Sequence, residues 1–205
     1  MPHTGPLILA STSAPRRQLL SRLRVPFTTA APAVDETPRA GEAAAPLAGR
    51  LAAAKARAIA GGLSKGLVIG GDQTVDCAGQ LLGKPLNPET ARAQLAASSG
   101  RRVVFHSAIC VVDAASGASA QATVPVTARF RDLEPVSIAR YVAAEPALQA
   151  AGSFHIEGLG VSLFDEVSSD DPTALVGLPL IALCRLLREL GYDVLAHAAP
   201  AAAGA

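Results

Sequence analysis

Residues 7–23 read LILASTSAPRRQLLSRL, from Leu7 to Leu23, and the pattern changes period midway. Leu7 to Ala10 is a short continuous apolar run, which predicts a buried strand. Ser11, Thr12 and Ser13 are capping residues, and Pro15 suits a first helical turn, where its missing N–H has no intrahelical partner in any case. Leu19, Leu20 and Leu23 then fall on one face of a helix that runs to about Leu23. A buried strand passing directly into a capped helix opens a β–α unit.

The alternation continues along the chain. Val25 to Thr29 predicts a second strand, Asp35 to Arg39 a polar loop, and Pro46 to Ala60 an Ala-rich helix stopped at Gly61-Gly62. Leu67-Val68-Ile69 is an apolar strand running into Gly70-Gly71-Asp72, and Val75 to Leu82 resembles a small hairpin turning at Gly79. A helix over about Pro88 to Ala97 precedes two long strands, Arg102 to Asp113 and Ala120 to Arg131, joined at Ala115-Ser116-Gly117. Pro135 to Ala144 predicts a helix, Val161 to Phe164 a strand, and Leu178 to Leu190 a last helix closed by Gly191. Strands alternating with helices, with one long hairpin inserted, make an α/β protein with a mixed sheet. Residues 1–196 read as a single domain and residues 197–205, rich in Ala, as a disordered tail.

Composition removes several functions. The 205 residues are 50% hydrophobic and 17% charged with a formal net charge of +1, so nothing pulls the chain as a whole towards nucleic acid or an anionic membrane. Aromatics are 3% with no Trp, which disfavours a base-stacking surface for a nucleic-acid polymer. No run reaches the roughly 18 apolar residues needed to cross a bilayer, and the N-terminal cations follow the first apolar run instead of preceding it as in a secretory signal. Cys77, Cys110 and Cys184 are odd in number and lack a C-x-x-C spacing, which fits reduced thiols in a cytoplasmic protein. His3, His106, His155 and His197 show no zinc-binding spacing, and neither a P-loop nor a G-x-S-x-G elbow occurs.

Candidate chemistry lies in four places. Ser11, Ser13, Arg16 and Arg17 put hydroxyls and two cations at a helix N-terminus, where cations are disfavoured unless an anion is bound. A phosphate site and a capped helix with solvated arginines are both open. Asp72 is a carboxylate at the end of a buried strand, where open α/β sheets place ligands, though a turn cap reads equally well. Glu36, Lys55 and Lys84 are single charges that make a site only if they converge. Residues 153–160, SFHIEGLG, form a Gly-rich loop with one acid, Glu157, compatible with a base or sugar.

Together these pieces resemble the Maf family of nucleoside triphosphate pyrophosphatases. LILASTSAPRRQLL, AAPAVDETP, LAAAKA, VIGGDQTV, GKPL, AGSFHIEGLG and LVGLPLIALCRLL occur in the family's order from about Leu7 to Leu195. The resemblance implies an elongated mixed sheet flanked by helices, with two lobes and a central cleft. It implies a divalent metal, usually Mg2+, with Mn2+ or Co2+ as alternatives. The implied reaction is metal-assisted attack of water on the α-phosphate of a nucleotide, giving the monophosphate and pyrophosphate. Ser11, Ser13, Arg16, Arg17, Lys55 and Lys84 would bind phosphates, Asp72 would accept the proton, and Glu36 or Asp72 would meet the metal. The partner would be a small nucleotide, and homodimers are common in the family.

Two positions direct the substrate. Gln73, directly after the acid, and Glu157, before the loop glycine, resemble the branch that prefers 7-methyl-GTP; the dTTP and UTP branch carries Thr and Gln there. One carboxylate can accept both the N1–H and the 2-amino group of guanine, whereas uracil and thymine offer one donor flanked by acceptors. It also favours the positive charge of a 7-methylated ring. Pro15 departs from the family pattern at a position linked to substrate preference, and proline cannot stack as an aromatic side chain does. A pyrophosphatase for pyrimidine or other modified nucleotides therefore stays open, as does a non-catalytic nucleotide-binding regulator of septum formation.

Overall fold

The computed structural model describes residues 5–200. Seven strands form one mixed sheet in the order β2-β1-β3-β5-β6-β7, with β4 paired to β3 off this path. β1 (Leu7–Ala10), β2 (Phe27–Ala30) and the first part of β3 (Leu67–Cys77) are parallel. β3, β5 (Arg102–Asp113), β6 (Ser119–Phe130) and β7 (Phe164–Ser168) are antiparallel, as is the β3 pairing with β4 (Gln80–Leu81). The helices are α1 (Ala14–Ser21), α2 (Ala44–Ala60), α3 (Pro88–Ser98), α4 (Pro135–Ala144), α5 (Leu180–Glu189) and α6 (Val194–His197). The expected α/β fold with a mixed sheet is therefore present.

Strand alternation sorts the core into three bodies. Leu67 and Ile69 of β3, with Ile109 and Val111 of β5, pack beneath α1 and α5. Val75 and Cys77 lie further along the same face, with Val103, Phe105, Val126 and Phe130, beneath α3 and α4. The opposite face is covered only at one end, where Val68, Ala108, Cys110 and Val112 meet Ala48, Ala52, Ala53 and Ala56 of α2. Two lobes thus share the same long strands, and a waist separates their cores.

Several boundaries differ from the sequence reading. Gly70-Gly71 does not end a strand: β3 continues for 11 residues, so Asp72 sits mid-strand and not at its terminus. The end that matters is that of β1, whose pairing with β3 stops at Ala10↔Gly70, exposing one edge of β3 just before Asp72. The expected hairpin is the end of this long strand, turning through Ala78 (φ 53°) and Gly79 (φ 85°) into β4, the positive-φ pair that a tight two-residue turn requires. Val161 to Leu163, expected as the start of a strand, wind instead within a 3-10 helix over Leu159–Leu163, and β7 begins only at Phe164. The cause is a partner distant in sequence, since Glu145 Oε2 accepts the Leu159 N–H at 2.6 Å, and Leu163 is buried. The boundary expected at residue 196 falls inside α6, whose His197 ring stacks on Tyr192 at 4.2 Å. The Ala199 N–H then donates to Arg24 O, so packed chain continues to that point; residues 201–205 lie outside those described, as does His3. No helix among the described residues is long and apolar enough to cross a membrane.

Candidate active site

A cleft of about 930 Å³ opens at the waist. It is lined by Ser11, Ser13, Pro15, Arg16, Glu36, Lys55, Asp72, Gln73, Lys84 and Glu157, drawn from six separated stretches of the chain. Arg17 is the exception among the expected site residues; one position further round α1, it is exposed and does not line the cleft. The free edge of β3 explains the convergence. Beyond Gly70 no parallel strand covers it, so Asp72 on one face and Gln73 on the other both border the same opening.

Lys55 is the centre of the charged group. Its Nζ lies 2.6 Å from Asp72 Oδ1 and 2.6 Å from Glu36 Oε1. Lys55 and Asp72 are both buried, whereas the Glu36 side chain is half exposed. α2 can bring the lysine this close because Gly70 has no side chain: a Cβ there would stand 2.6 Å from Ala56 N and closer still to Ala52 O. The loop bearing Glu36 is tied back to the same helix. Arg50 of α2 makes two 2.7 Å bonds to the Glu42 carboxylate and a 3.1 Å bond to Thr37 O.

Electrostatics follow from this geometry. Burial pushes the Asp72 carboxyl above its ordinary value, opposed by Lys55 and then Arg16, while Glu36 adds to the rise. The hydrogen bond from Lys55 draws Glu36 below its ordinary value, against burial and with help from Lys84 and Arg16. Burial also lowers Arg16, opposed by Asp72 and Glu36; a guanidinium stays charged nonetheless. Arg16, Lys55 and Lys84 against Asp72 and Glu36 leave a net positive cluster suited to a polyanion.

The hydroxyls at the start of α1 have defined partners. Ser11 Oγ accepts the Ser13 N–H at 3.1 Å, and Ser13 Oγ accepts the Arg16 N–H at 3.4 Å as the helix cap. No acidic residue occupies the first turn of α1, so the positive end of the helix adds to the cluster.

On the other face, the Gln73 amide nitrogen lies 2.7 Å from Ser107 Oγ and 3.1 Å from both Ala174 O and Leu175 O. Its two N–H groups are thereby engaged within the protein, which leaves its carbonyl oxygen as the acceptor for a ligand. Glu157 is exposed at the rim, on a loop held by Glu145, and the His155 side chain beside it lies 3.6 Å from the Glu145 carboxylate. Lys84 belongs to a loop stapled to the one leading to Glu157: Gly83 O accepts from the Gly152 N–H, and the Leu86 N–H donates to Leu148 O.

Sequence reasoning missed Ser107, Asp171 and Gly177. Ser107 interrupts the apolar pattern of β5, and Asp171 stands nine residues before α5, too far ahead for a cap to be read from spacing. Gly177 adopts φ 101° and offers its carbonyl to Arg16 Nε at 2.9 Å.

Residues 6–190 match the family model described as Maf-like protein. The chain is 57% identical over 188 residues to the 7-methyl-GTP pyrophosphatase of Xanthomonas oryzae pv. oryzae (strain MAFF 311018), covering 92% of this chain and 98% of that protein. It is 53% identical over 192 residues to the 7-methyl-GTP pyrophosphatase of Paraburkholderia xenovorans, covering 92% and 94% respectively. Against the protein of that name from Burkholderia pseudomallei (strain 1710b) it is 51% identical over 201 residues, covering 97% and 94%. With nearly its whole length matched and its cleft assembled from the motifs that suggested the resemblance, the chain belongs to the Maf-like protein family.

Proposed function

We propose that this chain is a nucleotide pyrophosphatase that hydrolyses 7-methyl-GTP to 7-methyl-GMP and pyrophosphate. The observation that carries the reading is Lys55, held between Asp72 and Glu36 in one cleft with Arg16 and Lys84, in a chain whose relatives bear that name.

Lys55 holds Asp72 Oδ1, leaving Oδ2 as the basic oxygen. That oxygen takes a proton from a water as the water oxygen bonds to the α-phosphorus. The bond from that phosphorus to the bridging oxygen breaks, and pyrophosphate leaves with the electron pair. Arg16, Lys55 and Lys84 offset the charge on the transferring and leaving phosphates, so the chain contributes mainly positioning and electrostatics. Ser11 and Ser13 border the phosphate end of the cleft.

Enzymes of this class generally use a divalent metal, and the donor set fits one. Two carboxylates converge on a single cation, Lys55 Nζ, and Mg2+ is commonly held by one or two carboxylates plus substrate phosphates. No group of three or more His, Cys, Asp or Glu among the described residues forms an all-protein cage. Glu36 and Asp72 would hold Mg2+, Mn2+ or Co2+, which when bound supplies Lewis-acid polarisation of phosphate oxygens and a more acidic water.

The base end is read by Glu157, which accepts the two donors of guanine, and by the free carbonyl of Gln73. Pro15, at the start of α1 and on the cleft wall, adds an apolar contact without a ring to stack. A cytoplasmic setting and a homodimer accord with the family resemblance.

The test is pyrophosphate release with Mg2+ across 7-methyl-GTP, GTP, UTP, dTTP and CTP. Preference for 7-methyl-GTP is the expected result, and Glu157→Gln should erode it about tenfold or more, since a paired site strongly rejects rings that cannot pair. A pyrimidine preference overturns the base assignment. Nucleotide binding without pyrophosphate release moves the function to a non-catalytic regulator.

A further inference from the structure

Segment 171–178 crosses from one core to the other at the waist: Ala174 and Leu175 pack in one lobe and Leu178 in the other. Its carbonyls supply the partners of the two cleft residues on that face. Ala174 O and Leu175 O accept from Gln73, and Gly177 O accepts from Arg16 Nε. Ser107 Oγ also donates to Ala174 O.

Two buried side chains give this segment its shape. Asp171, 2% exposed, accepts four hydrogen bonds. Its Oδ1 takes the Thr173 N–H at 3.1 Å and the Thr173 hydroxyl at 2.7 Å; its Oδ2 takes the N–H groups of Ile181 and Ala182 at 2.7 and 3.2 Å. The last two belong to the first turn of α5, which has no side-chain cap of its own. Thr173 Oγ1 accepts the Leu180 N–H at 2.8 Å and lies 2.9 Å from Leu178 O. The pair therefore fastens both ends of the turn 174–177 to the start of α5, and the turn projects its carbonyls at the cleft.

We infer that Asp171 and Thr173 are positioning residues that set the Arg16 guanidinium, through the Gly177 carbonyl, in the plane from which it clamps the triphosphate. The bond from Nε leaves the four N–H groups of the terminal nitrogens for a bidentate phosphate contact. Neither residue touches the substrate. This assignment rests on the proposed reading of Arg16 as a phosphate ligand, and it adds that the ligand's aim is fixed from the opposite end of the chain.

The test is a double-mutant cycle with two readouts, calorimetric binding of inorganic tripolyphosphate and kcat/KM for 7-methyl-GTP. Thr173→Val keeps the shape but loses the hydroxyl; it should weaken both about tenfold when Arg16 is present, and less than about twofold in an Arg16→Lys background, because coupled residues are not additive. Thr173→Ser restores the hydroxyl and should restore both readouts. Should Thr173→Val fail to fold, Gly177→Ala replaces it in the cycle, since its Cβ stands 3.5 Å from Arg16 Nε at a strained φ of 101°. Additive losses, or none, overturn the inference, and so does a wild-type chain that does not bind tripolyphosphate. A wild type that binds tripolyphosphate but releases no pyrophosphate overturns the enzymatic reading instead, and the cycle in binding still decides the positioning.

Discussion

The two lobes are cut from the same strands yet solve burial differently. At one end, β3 and β5 are covered on both faces, by α1 and α5 on one side and α2 on the other, and nearly every residue is buried. At the other end, α3 and α4 cover one face alone, and β5 and β6 alternate between buried and partly exposed positions. The sequence records the change within single strands: Ala108-Ile109-Cys110-Val111-Val112 is continuous and apolar, whereas Val103 to His106 alternates in burial. A sheet changing from three layers to two must leave a step where the second layer stops. The cleft is that step, and Asp72 stands beside it near the end of the α2 cover, which reaches Thr74, whose hydroxyl donates to Ala44 O at the start of that helix.

The comparison assigns chemistry to the step and stability to the layers on either side. The largest effect should come from Asp72→Asn, with kcat for 7-methyl-GTP falling by about 10³-fold, within the range for a lost general base, while circular dichroism and Tm show an intact fold. Near-wild-type turnover would remove Asp72 from the mechanism. Next, the two lobes are compared by one substitution on the same sheet face. Val68→Thr places a hydroxyl under α2, where Val68 is fully buried, and should cost about 2 kcal/mol in urea unfolding. Val104→Thr on the uncovered part of that face should cost less than about 0.5 kcal/mol. Equal losses would show that the second lobe is covered after all.

The smallest effect concerns the loop that carries Glu36. Hydrogen bonds from Arg50, and then from the Arg39 backbone, pull the Glu42 carboxyl from 4.5 down to about 2. Because the folded value lies below the unfolded one, this contribution is complete above the unfolded value and is lost as pH falls towards the folded one. Glu42→Gln should therefore lower Tm at neutral pH, and the gap from wild type should close between pH 4.5 and about 2. A gap independent of pH would show that the ion pair with Arg50 does not stabilise the loop.

The β–α opening at Leu7 to Leu23, the Ala-rich helix and the long hairpin were legible because period and capping are local. So were the single charges at positions 36, 55, 72 and 84, though not their meeting, which depends on how closely α2 approaches β3. Gly70-Gly71 read as a strand end because glycine usually weakens a strand; here Gly70 marks the closest passage of a helix. Leu159 to Leu163 read as partly strand because their helical turn is imposed by a carboxylate fourteen residues earlier, at Glu145. Asp171 escaped notice for a related reason: its partners in α5 are ten and eleven residues away.

The contact between Gly70 and α2 also bears on how this sequence can vary. Residues 52, 56 and 70 share one fixed allowance of volume. A methyl group gained at position 70 lifts the helix, because the nearest atoms it meets, Ala52 O and Ala56 N, are backbone that no substitution removes, and the Ala56 methyl stands next to them. With Lys55 and Asp72 in their proposed roles, drift at these three small, chemically silent positions is constrained by a reaction in which none of them takes part, because the reach of a lysine to its carboxylate is measured from the floor they form.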